Sequence, residues 1–178
     1  MNIIKEICEK YGGNYSEEKK KSILTPVGKL SYQFRKGSFT IDNSKFEIKI
    51  SENNGIATQT EPYILILEVS NPNIKELIIY PKTNFDRIFN FFKRKESIKI
   101  PKTVEKKYQF EGDFNLINCI VSEENFNNLI LDDSISIKLK KESPNHLILI
   151  PNRGIDSLKK LESLIEILKL VKERINCD

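Results

Sequence analysis

Apolar positions in this chain first recur at helical spacing and then change period. Ile3, Ile4, Ile7, Cys8 and Tyr11 share one helical face, and Gly12-Gly13 ends the run, which predicts an amphipathic helix over residues 2–11. The stretch SEEKKKS (16–22) has no apolar period and reads as a polar connector. From about 29 to 80 the period is two. Leu30, Tyr32 and Phe34 alternate with Ser31, Gln33 and Arg35; Phe39 and Ile41 precede an Asp-Asn-Ser turn; Phe46, Ile48 and Ile50 follow it. Asn53-Asn54-Gly55 is a strong turn signal, and YILILEVS and ELIIYP are short and rich in β-branched residues. These runs predict an antiparallel meander with one face buried and one wet. Tyr80-Pro81, Ile100-Pro101 and Ile150-Pro151 mark strand ends, because proline has no N–H for a central ladder.

The second half mixes periods. FDRIFNFFKRK (85–95) places Phe85, Ile88, Phe89 and Phe92 on one helical face, which predicts a short helix docked on the sheet, followed by an exposed basic loop. EKKYQF (105–110) is a candidate strand. Asp113 is the expected N-cap of a helix over FNLINCIV, and Ser122 is expected to open a second over SEENFNNLIL. ISIKLKK and HLILIP form a hairpin joined through Ser143-Pro144-Asn145. A closing helix, capped by Asp156, carries Leu158, Leu161, Leu164, Ile165, Leu168, Val171 and Ile175 on a broad stripe; at about 20 residues it would span roughly 30 Å. The expected fold is α+β: an antiparallel sheet (meander plus C-terminal hairpin) with an N-terminal helix and a long C-terminal helix packed on it. The 178 residues suit one domain, or two halves: 1–92, helix plus meander, and 104–178, strand, two short helices, hairpin and long helix.

Composition narrows the setting. Hydrophobic residues at 39% exclude a disordered chain. Charges at Lys5, Glu6, Glu9 and Lys10 interrupt any signal-like apolar segment, and no run reaches the ~18 residues of a membrane span. Cys8, Cys119 and Cys177 are odd in number, far apart and in no metal-ligand spacing, so neither a disulfide framework nor a zinc site is expected and a cytoplasmic location follows. Net charge is only +4, yet nine cations face three anions between Lys82 and Lys107. That segment offers the candidate binding residues Lys93, Arg94, Lys95, Lys99, Lys106 and Lys107, with Phe91 or Tyr108 as a stacking platform for nucleic acid.

Chemistry is sparse. The one histidine, His146, starts a strand, which removes most Ser-His-Asp and Cys-His schemes and most imidazole metal sites unless it is used. Asp132-Asp133 reads as a cap at a solvated corner. No phosphate-binding glycine pattern is present. No catalytic residue, metal ligand or cofactor is expected.

The order FDRIF (85–89), EKKYQFEGDFNLINCIVSEENFNNL (105–129), an I-x-I-x-L strand (135–139) and LESLIEILKLV (161–171) resembles a group of small bacterial α+β proteins described as a domain of unknown function. The resemblance covers residues 85–175. It implies an α+β fold and a bacterial cytosolic setting, but no reaction and no functional residues. The expectation is a non-catalytic protein that acts by macromolecular binding. Its partner would be another protein or a second copy, meeting the exposed sheet face or the basic loop 93–107. The alternative is nucleic-acid binding through that loop. A carboxylate-based enzyme is the third reading.

Overall fold

Nine antiparallel strands form one sheet, and five helices cover one of its faces, in a computed structural model that describes residues 2–19, 21–26, 28–54, 63–83 and 100–175. In chain order the described elements are α1 (Ile3–Lys10), β1 (Asn14–Glu17), β2 (Lys21–Thr25), β3 (Gly28–Ile41), β4 (Ser44–Asn54), β5 (Ile64–Glu68) and β6 (Leu77–Pro81). Then follow α2 (Lys102–Lys107), β7 (Tyr108–Gly112), α3 (Phe114–Val121), α4 (Glu124–Asp132), β8 (Ile135–Lys140), β9 (Ser143–Pro151) and α5 (Leu158–Arg174). The sheet order is β1-β3-β4-β5-β9-β8-β6-β7, with β2 continuing along the β1 edge of β3. The class is α+β, with the N-terminal and the long C-terminal helix on the sheet as expected. Among the described residues no helix is long and apolar enough to cross a membrane.

Local chemistry explains several boundaries. Asp42 and Asn43 take φ of 48° and 60°, the pair of left-handed residues that a two-residue hairpin turn requires, and they join β3 to β4. Gly37 lets α1 lie directly on β3: an added Cβ would stand 2.6 Å from Ile4 Cγ2 and 2.7 Å from Cys8 Sγ. Tyr11 stacks on Phe39, and Phe39 on Phe46, so the end of α1 is seated on two strands. Asp113 caps α3 by accepting from the Leu116 amide at 2.9 Å. Helix α5 crosses the covered face. Lys10 Nζ meets Glu162 at 2.5 Å, Lys169 meets Asp42 at 2.8 Å, and Lys172 donates to Ser44 at 2.7 Å.

Other expectations change. The connector 16–22 contains the end of β1 and the start of β2, because an edge strand needs no apolar face. The meander holds for β3, β4 and β5, but β5 pairs next with β9, and β6 lies beyond the C-terminal hairpin between β8 and β7. Lys102–Lys107 is helical, so the strand predicted over EKKYQF begins only at Tyr108. The β8–β9 turn is Lys141-Glu142; Ser143-Pro144-Asn145 already belong to β9. Ser122 closes α3 instead of opening α4, and Ser157, not Asp156, caps α5. Asn53 and Asn54 end β4. Cys8 is free and buried, while Cys119 on α3 is disulfide-bonded, which the wide sequence spacing of the cysteines does not predict. The helix expected over 85–95 lies outside the described residues.

Candidate functional site

Alternation along each strand divides the sheet's side chains between two faces. The covered face takes Phe46 and Ile48 of β4, Leu65 and Leu67 of β5, Leu147 and Leu149 of β9, Ile137 and Leu139 of β8, and Leu77 and Ile79 of β6, all within one core cluster with the helices. The opposite face carries the residues between them. In most strands these are polar, as a half-wet sheet requires. In β5 and β9 they are not, and in β6 the half-buried Ile78 also lies on this face outside the core cluster. Ile64 and Ile66 of β5, and Ile148 and Ile150 of β9, are half-buried and lie outside the core cluster. Ile66 pairs directly with Ile148, and Ile64 and Ile150 follow along the same two strands, so four isoleucines form a square at the centre of this face, which no described helix covers and which is called the open face below.

Charges frame that square. Glu47 of β4 sits opposite Ile66 on one side, and Lys138 of β8 sits opposite Ile148 on the other. Glu47 Oε1 holds two ammonium groups, Lys36 at 2.6 Å and Lys49 at 2.9 Å. Burial pushes its carboxyl up, but the two lysines outweigh this and hold it below the usual value. Lys138 is half-buried between Ile148 and Ile78, with no anion partner among the described residues. A shallow groove of about 210 Å³ runs from Ile66 and Ile148 of the square to Lys45, Glu68, Ser143 and His146. Glu68 pairs with Lys45 at 2.5 Å and faces His146 across β5 and β9. His146 makes no side-chain hydrogen bond among the described residues, so no nucleophile–base pair is built on it there. No group of three or more metal-ligating side chains occurs among them.

Of the sequence-predicted binding residues, Lys93, Arg94, Lys95 and Lys99 lie outside the described residues. Lys106 is exposed on α2. Lys107 is half-buried: its ammonium donates to the Leu131 carbonyl and stands 5.7 Å over the Tyr108 ring. It therefore helps join α2 to the end of α4. Asp132 is exposed, as expected, but Asp133 is not solvated; it is 7% exposed and paired with Lys160 at the start of α5. The isoleucine square was open to sequence reasoning through one signal. ILIL (64–67) and LILI (147–150) do not alternate, and a strand with one wet face should. Compared with known proteins, the chain matches no family model, no curated protein and no solved structure.

Proposed function

We propose that this is a non-catalytic protein that acts by binding another macromolecule on the open face of its sheet. The observation that supports this reading is the pair of central strands, β5 and β9, apolar on both faces yet covered on one by the protein's described helices. Isoleucine held in contact with water forgoes about 25 cal/mol for each Å² that a partner would cover. Apolar surface grouped across adjacent strands marks interaction sites more often than scattered exposed residues do. The test is affinity capture from lysate with the wild type and an Ile66→Asp/Ile148→Asp variant, with melting curves confirming that both fold. A macromolecule retained by the first and lost by the second is expected; identical capture by both would sink the reading.

The surplus of cations between Lys82 and Lys107 favours a second reading, nucleic-acid binding through the basic segment. The chain has six tyrosines and no tryptophan, so bound nucleic acid would stand out in the 260/280 nm ratio during gel filtration. A high ratio at low salt that collapses at high salt, and that is lost on charge reversal at Lys93, Arg94 and Lys95, is the expected result. A protein-like ratio at both salts retires this reading.

A further inference from the structure

We infer that the macromolecule covering the open face is a second copy of this chain, stacked sheet to sheet about a two-fold axis that runs along the seam between β5 and β9. The inference rests on the binding reading above and names its partner. The argument is one of register and charge. Rotation about an axis parallel to the strands keeps each residue at its level along them and exchanges strands equidistant from the seam. It lays β5 over the second copy's β9, and β4 over its β8. Ile66 then faces the second copy's Ile148, and Ile64 faces Ile150, so the two squares cover each other.

At the same level Glu47 faces the second copy's Lys138, because Glu47 pairs with Ile66, Ile66 with Ile148, and Ile148 with Lys138 in one row across the sheet. Lys138, which has no anion partner among the described residues, thus meets a carboxylate, and the symmetry makes the contact twice. An unrelated partner would have to bring its own carboxylate to Lys138; a second copy already carries one at the required place. Six central strands at about 4.8 Å spacing, about 20 Å long, give roughly 600 Å² on each copy, at the lower edge of a specific interface. The helices remain on the two outer faces, giving four layers.

Sedimentation velocity of the full chain over a wide concentration range tests this, with circular dichroism confirming that each variant folds. The wild type should sediment as a dimer. Lys138→Glu sets carboxylate against Glu47, and Glu47→Lys sets ammonium against Lys138, so each should weaken association at least about 30-fold, as losing one partner of a buried interfacial pair does. Mixed in equal amounts, the two variants should dimerise again, since each supplies the charge that the other lacks. If Glu47→Lys fails to fold beside Lys36 and Lys49, Glu47→Gln takes its place and should weaken the dimer on its own. A monomeric wild type, or a dimer indifferent to these substitutions, overturns the inference. A monomer that still captures another macromolecule through Ile66 and Ile148 leaves the binding reading standing without the dimer. A monomer whose melting temperature falls with Ile148→Asp, and whose capture does not depend on the face, shows the isoleucines covered within the chain and removes both.

Discussion

Tyr108 shows how one hydroxyl can join three parts of the chain. It donates to the Asp133 carbonyl at 2.6 Å and accepts from the Ile135 amide at 3.2 Å, so β7 is tied to the corner between α4 and β8. Burial pushes its pKa from 10.0 up to about 12. A folded value above the unfolded one means that the neutral phenol contributes stability below pH 10, and that this is lost as pH rises toward 12. Tyr108→Phe should therefore cost about 1–3 kcal/mol in urea unfolding near neutral pH, by leaving a buried amide and carbonyl without a partner. It should also remove part of the alkaline loss of stability between pH 10 and 12, read by repeating the unfolding curves across that range. The same corner holds Asp133, one carboxylate oxygen of which is buried without a hydrogen bond among the described residues. Among the described residues Lys160 alone compensates its charge, so Lys160→Met should cost about 3 kcal/mol, and adding Asp133→Asn should recover much of it. Equal losses in the single and double variants would show that the charge is not the cause.

Elements are delimited by such short-range contacts, and here the ambiguity is one residue wide. Asp156 and Ser157 are both good cap residues, yet it is Ser157, with extended backbone, whose side chain accepts from the Lys160 amide, at 3.3 Å. Ser157→Ala should lower stability by about 1 kcal/mol, and Asp156→Ala by less than about 0.5 kcal/mol, in paired thermal melts. Helices α1 and α5 were legible because a 3.6-residue stripe is a local pattern, and the β3–β4 turn because Asp-Asn accepts positive φ. Helix α2 was not. Lys102–Lys107 contributes one buried side chain, Val104, which is too little to make a stripe, and its C-terminal lysines suit the helix dipole as readily as a wet strand.

At the scale of the molecule the decisive feature is that β9 and β8 stand between β5 and β6. The first part of the chain thus has no complete sheet of its own. Strand β6 pairs with β7 and β8, β5 takes β9 on its outer side, and α1 is held to α5 by Lys10 and Glu162. A fragment of residues 1–83 should therefore remain unfolded in isolation, shown by a weak far-UV signal and a narrow amide spectrum; an independently folded fragment would show that the first strands need no later partner. The same insertion makes the candidate surface. It brings ILIL beside LILI, more than 75 residues away, and so turns two short apolar runs into one square.

Local pattern in the chain settles what depends on neighbours a few residues apart: the α+β class, the stripes of the first and last helices, the Asp113 cap, the Asp42-Asn43 turn and the alternation of most strands. Long-range packing sets which strand lies beside which, that Asp133 is buried while Asp132 is not, and that four isoleucines meet on the face that no described helix covers. Periodicity states that a strand has an apolar side but carries no address for its partner. That choice is made by the packing that buries most apolar surface across the whole chain, with every backbone group paired. It is a sum over distant residues that no local window contains.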